Sequence, residues 1–124
     1  MIQERSIIKI ADNSGPKTVR CFRVLGGSKK RYARIGDIII ASVQEAEPGA
    51  KKGIKKKDIV KVLIVRQKHP LRRSDGSYIR FSENAGVIID DKKEPKATRV
   101  FGPIPREIKE AGFNSIASMA EELV

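Results

Sequence analysis

The sequence predicts a mainly β chain curled into a small barrel, with short helices at its end. Three observations predict it. Strand-length runs of β-branched residues recur through the first hundred positions. Clusters of Gly, Pro, Asn, Asp and Ser punctuate them. Helical periodicity appears only after position 103. The 124 residues suffice for one domain with one modest core.

Ile7-Ile8-Lys9-Ile10 reads as a short first strand, and Asp12-Asn13-Ser14-Gly15-Pro16 as a dense turn signal. Val19 to Leu25 is a second strand, ended by Gly26-Gly27. Asp37 to Val43 is a third, entered through Gly36. Asp58 to Arg66 is a fourth and the most hydrophobic. Asp75-Gly76 supplies a tight turn, because Gly tolerates positive φ. Tyr78, Ile79 and Phe81 read as one strand beside it and Val87-Ile88-Ile89 as another, the last pair. Several apolar runs are continuous rather than alternating, which suits strands whose outer face is also partly covered. Closing such a sheet removes its exposed edges.

The tail changes period. Pro105 precedes Arg106-Glu107-Ile108-Lys109-Glu110-Ala111 and Gly112, a short helix with a Pro start and a Gly stop. Asn114 or Ser115 can cap a second helix. Its apolar residues Ile116, Met119, Ala120 and Leu123 share one face, expected to pack on the barrel. The reading is a single domain over 1–124, with a basic-looped barrel over 1–102 and a helical tail over 103–124.

Charge narrows the function. Lys and Arg number 26 against 15 Asp and Glu, a net +11. Such an excess points to a polyanion: nucleic acid first, an acidic membrane surface second. A membrane would select a basic amphipathic helix or a long apolar run, and neither occurs. Residues 1–102 hold 24 of the cations and 11 of the acids, whereas 103–124 carry a net −2. The body suits phosphate and the tail suits protein.

Catalytic and metal chemistry find no constellation. His69 is the one histidine and Cys21 the one cysteine, too few for a closed zinc site. No P-loop or dinucleotide fingerprint is present. His69 lies in Gln67-Lys68-His69-Pro70-Leu71-Arg72-Arg73, without a carboxylate to orient its ring. Asp90-Asp91, beside Lys92-Lys93, reads as a turn with local salt compensation. The expectation is no enzyme, no cofactor and no metal. Cys21, among Val19, Phe22 and Val24, reads as a buried structural thiol, and the lack of a disulfide framework and of an apolar leader suits a reducing intracellular compartment.

The positive signal is four basic clusters. Lys29, Lys30, Arg31 and Arg34 surround Tyr32 directly after Gly26-Gly27-Ser28. Glycines admit a phosphate to the backbone, and Tyr32 offers a stacking face. Lys51, Lys52, Lys55, Lys56 and Lys57 fall within seven residues, a density that self-repels without a counter-surface. Arg66, Lys68, Arg72, Arg73 and Arg80 surround the Asp75-Gly76 hairpin, and Lys92, Lys93, Lys96 and Arg99 form the fourth. Aromatics are few, so phosphate contact and shape recognition of folded RNA fit better than broad stacking. Contact with ~6 phosphates would give a salt slope of about −4 to −5. A ribosomal component and a free-standing RNA- or DNA-binding regulator or chaperone both satisfy this charge pattern.

The chain resembles the bacterial form of the universal large-subunit ribosomal protein L-fourteen family. The resemblance rests on Met1-Ile2-Gln3, Ala11-Asp12-Asn13-Ser14-Gly15, Arg23-Val24-Leu25-Gly26-Gly27-Ser28, Arg31-Tyr32-Ala33 and Ile35-Gly36-Asp37. It continues through Arg72-Arg73, Asp75-Gly76-Ser77, Ile79-Arg80-Phe81, Asn84-Ala85 with Val87, Thr98-Arg99-Val100-Phe101-Gly102-Pro103 and Arg106-Glu107. It implies a closed five-stranded barrel followed by short helices. It implies a structural constituent of the large subunit, on a cytoplasmic or plastid ribosome, that binds large-subunit rRNA, and the residues expected to make that contact are the first three basic groups above together with Tyr32. Further implied partners are small-subunit rRNA through intersubunit bridges, neighbouring large-subunit proteins and a ribosome-silencing factor. Thr98, Arg99 and Ser118 map to the protein-facing surface. The chain departs from the family at Ser118-Met119-Ala120-Glu121-Glu122-Leu123-Val124, where a proline is missing, which permits the last helix to run on toward residue 124. It departs again at Ser115, where the family carries lysine.

Overall fold

The computed structural model describes residues 2–27, 30–46 and 56–124. Five strands close the barrel: β1 (Ile7–Ile10), β2 (Pro16–Val24), β3 (Ile38–Ala46), β4 (Ile59–Arg66) and, two short strands later, β7 (Ala85–Ile89). β1–β2, β2–β3, β3–β4 and β4–β7 pair antiparallel, and β7 closes on β1 in parallel. The first four strands lie where the runs of β-branched residues predict them. The expected mainly β fold, a closed five-stranded barrel with two short C-terminal helices, is the observed one.

The last pair differs from the expectation. β5 (Leu71–Arg72) pairs with β6 (Tyr78–Ile79) as a separate two-stranded hairpin. Val87 to Ile89 pair instead with β4. The tight turn explains this: with Gly76 at φ +88°, only residues closely flanking the turn can face one another. The hairpin is thus an excursion between two barrel strands rather than a wall of the barrel.

The interior is filled by alternate residues, Ile8, Ile10, Val19, Cys21, Ile39, Ala41, Val43, Val62, Ile64 and Ile88 among them. Cys21 is fully buried, and burial raises its thiol above the ordinary value. A second apolar core lies outside the barrel wall. There Leu63 and Val65 of β4 and Ala85, Val87 and Ile89 of β7 meet Val100, Ile104, Ile108 and Ile116 of the tail. Two-sided burial explains why β4 and β7 are apolar without alternation.

The tail comprises β8 (Val100–Ile104), α1 (Glu107–Glu110), α2 (Asn114–Met119) and β9 (Ala120–Leu123). β8 spans the 102/103 boundary at which the charge changes. Gly112, at φ +97°, follows α1 as the Gly stop predicts. Neither Asn114 nor Ser115 caps α2; its N-cap is Phe113, with no side-chain hydrogen bond. Nor does α2 run on toward residue 124. Ala120 turns extended, at φ −69° and ψ 145°, and β9 pairs in parallel with β8. Two causes act together. Glu121 and Glu122 would sit unfavourably at a helix C-terminus, and the free edge of β8 offers ladder bonds. Ile116 is buried as expected, but Leu123 is 38% exposed.

Asp12 ties the β1–β2 turn to β7. Its carboxylate accepts hydrogen bonds from Ser14 N, Ser14 Oγ and, across the sheet, Ile88 N at 2.9 Å. Burial raises its pKa while these donors oppose the shift. Among the described residues no helix is long and apolar enough to cross a membrane.

Candidate nucleic-acid interface

The end of β4 anchors two basic elements at once. The segment before β3 is strapped to it by Gly36 N on Ile64 O (2.9 Å), Ile64 N on Asp37 O (3.0 Å) and Ile35 N on the buried Gln67 Oε1 (3.2 Å). The hairpin leaves from the same place. Phe81 N donates to Gln67 O at 3.0 Å, and Lys68 N to Asn84 Oδ1 at 2.8 Å. As a result Lys30, Arg31, Tyr32 and Arg34 line one shallow depression with Leu71 of the hairpin. The fold sets the first basic cluster against the base of the hairpin that carries the third, some forty positions later in sequence.

Within this site the cations have different surroundings. Lys30 Nζ lies 3.0 Å from Asp37, so its charge is partly answered. Arg31, Arg34, Lys68, Arg72 and Arg80 are exposed and form no ion pair among the described residues. Tyr32 is 47% exposed beside them. Lys56 and Lys57 are exposed at the entry to β4. Lys29, Lys51, Lys52 and Lys55 lie outside the described residues. At the hairpin tip, Asp75 accepts from Ser77 Oγ (2.6 Å) and Ser77 N (2.9 Å), which hold its carboxyl below the ordinary value.

Two arginines of the hairpin cluster turn inward. The Arg66 side chain is only 7% exposed. Its guanidinium donates to Phe101 O (3.0 Å) and Pro103 O (3.2 Å) and lies 3.3 Å from Glu83. Gly102 sits between those carbonyls at φ +79°, where a Cβ would fall 2.2 Å from Arg66 Nη1. Burial lowers the Arg66 pKa, and Glu83 and Glu121 oppose the shift. The Arg73 side chain, 13% exposed, grips Glu107 (Nε to Oε1 2.8 Å, Nη2 to Oε2 3.4 Å) and donates to Val124 O. Both arginines bind the tail to the body.

The fourth cluster splits. Asp90 Oδ1 accepts from Lys92 N and Glu94 N, each at 2.9 Å, and Asp91 pairs with Lys61 at 3.1 Å. The turn read from the sequence is present, but the charge of Asp91 is answered by Lys61 of β4 rather than by the adjacent lysines, and Lys92 contributes its backbone N–H. Thr98 and Arg99 are held by Asn13, whose Oδ1 accepts from Thr98 N (3.0 Å) and Arg99 N (3.1 Å). The Arg99 guanidinium lies 5.5 Å from the centre of the Phe101 ring. In the parallel ribbon Val100 pairs with Ala120, so Thr98-Arg99 and Ser118-Met119 emerge at the same end. Ser118 is exposed, and its Oγ donates to Ser115 O at 2.8 Å.

Sequence reasoning passes over one exposed group. Arg20, Phe22 and Arg23 all face outward on β2. Alternation alone would show Arg20 and Phe22 on one face; a bulge between Cys21 and Arg23 adds the third. Residues 1–124, the whole sequence, match the model of the family described as ribosomal protein L14p/L23e, so the chain belongs to that family and is a structural constituent of the ribosome.

Proposed function

We propose that the chain acts as a non-enzymatic scaffold of the large subunit of a cytoplasmic ribosome. Its outward cations neutralise phosphates of large-subunit rRNA. The observation that supports this reading is the anchorage, at the end of β4, of both backbone segments that carry Arg31, Arg34, Arg72 and Arg80. Cations on fixed backbone cost less ordering on binding than cations on a mobile loop. Lys68 extends the same surface, and Lys29 is assigned to it by its sequence neighbourhood; Lys56 and Lys57, at the opposite end of β4, form a separate rRNA-binding group to which Lys51, Lys52 and Lys55 are assigned by sequence. Arg66 and Arg73 contribute indirectly, by fixing the tail.

The acidic tail is the protein-facing side. Thr98, Arg99 and Ser118, at one end of the ribbon, form the face offered to neighbouring ribosomal proteins or to a silencing factor. The same subunit surface contributes intersubunit bridges to small-subunit rRNA. A salt titration with a large-subunit rRNA fragment tests the electrostatic part. Replacing Arg31, Arg34, Arg72 and Arg80 together by Gln is expected to flatten the slope by about 3 to 4. An unchanged slope removes these four residues from the interface. Arg99→Glu is expected to weaken silencing-factor binding about tenfold or more while leaving the rRNA slope unchanged. Equal binding by that variant removes Arg99 from the protein face.

A further inference from the structure

The outer face of β2 carries a pattern that phosphate neutralisation does not require. Phe22 is 44% exposed on this face. Arg20 and Arg23 stand on either side of it, both exposed and without an ion pair among the described residues. The bulge sets this arrangement. Cys21 pairs with Ala41 and Arg23 with Ile40, so Phe22 is the extra residue and two consecutive side chains point outward. Bulges commonly re-aim a side chain at a working surface.

The surroundings add charge. Arg5 N donates to Cys21 O at 2.6 Å, which brings a further exposed cation to the strand, with Glu4 as the acid beside it. The strand leads within a few residues into the loop that carries Arg31, Tyr32 and Arg34. A second aromatic, Tyr32, is exposed on that loop. Cations give the patch its polyanion preference, and the ring gives it a preference among polyanions. A duplex hides its base faces in the stack, whereas an unpaired nucleotide presents one to an aromatic ring.

We propose that β2 is a single-strand subsite: Phe22 stacks on an unpaired base of RNA while Arg20 and Arg23 hold the flanking phosphates. The inference rests on the rRNA-binding reading and deepens it, adding a stacked nucleotide to an interface otherwise made of phosphate contacts.

The test uses the full chain with two RNA probes, a twelve-nucleotide oligouridylate and a twelve-base-pair duplex. Phe22→Leu removes the ring and keeps an apolar side chain; Phe22→Tyr keeps the ring. The expected result is an about 5- to 100-fold loss of oligouridylate affinity for Phe22→Leu, with its salt slope unchanged. Phe22→Tyr should bind as the unsubstituted chain does, and duplex affinity should stay constant across all three. Arg20→Gln with Arg23→Gln should instead flatten the oligouridylate slope by about 1.4. Equal oligouridylate binding by Phe22→Leu, with both RNAs still bound in a salt-dependent way, overturns the subsite and leaves the rRNA-binding reading intact. Binding of neither RNA by the unsubstituted chain overturns both.

Discussion

Strands β2 and β4 flank the same neighbour, β3, and meet different surroundings. The outer side of β4 is roofed by the tail, with Leu63 and Val65 sealed against Val100, Ile104, Ile108 and Ile116. The outer side of β2 is open, with Arg20, Phe22 and Arg23 in solvent. One side of the barrel is therefore committed to holding the chain together and the other is free to meet something else. The same division separates the arginines. Arg66 and Arg73 bind the tail, and Arg72 and Arg80 face outward.

Four substitutions probe this division. The largest effect is expected at Gly86, on the inward face of the roofed strand β7. A Cβ there would fall 2.3 Å from Val62 Cγ1 and 3.0 Å from Leu63 O, inside the β4–β7 seam. Gly86→Ala is expected to cost about 3 kcal/mol, read as a shifted urea midpoint. A cost below about 1 kcal/mol would mean that the seam yields more easily than close packing allows.

Arg66→Met should come next, at about 2 kcal/mol. It strands two carbonyls and leaves Glu83 without its buried partner, a loss softened because Glu83 is partly exposed. Hydrogen exchange should quicken at Val100 to Ile104 before it does in β2 and β3. Uniform quickening along the chain would show that tail and barrel open as one unit and blur the comparison.

The smallest effect is expected on the open side. Arg20→Ala and Arg23→Ala should each change stability by no more than about 0.5 kcal/mol. A larger cost would make β2 a structural face after all.

The barrel is legible in the sequence because its strands carry their own signals. Ile7 to Ile10 and the run ending at Arg66 show their identity through β-branched residues alone. The continuous apolar run of β4 even announces its second cover. The tail is less legible because its conformation depends on a distant partner. Ile116, Met119, Ala120 and Leu123 obey helical spacing, yet Ala120 to Leu123 join β8, an edge no local window contains. Arg66 illustrates the same limit. As a letter it matches Arg72, and what turns it inward is Gly102, thirty-six positions later, whose missing side chain leaves room for the guanidinium. The basic loops were readable as charge, but their convergence was not, since Gln67 and Ile64 bring them together through long-range hydrogen bonds.

Cys21 turns the barrel into its own clock. The thiol is sealed inside the wall and its pKa is raised by burial, so a thiolate-seeking reagent cannot reach it while the sheet stays closed. With one cysteine in the chain, each alkylation event records one opening of the barrel. Labelling rates measured free and on the ribosome would express what assembly adds to the fold as a waiting time.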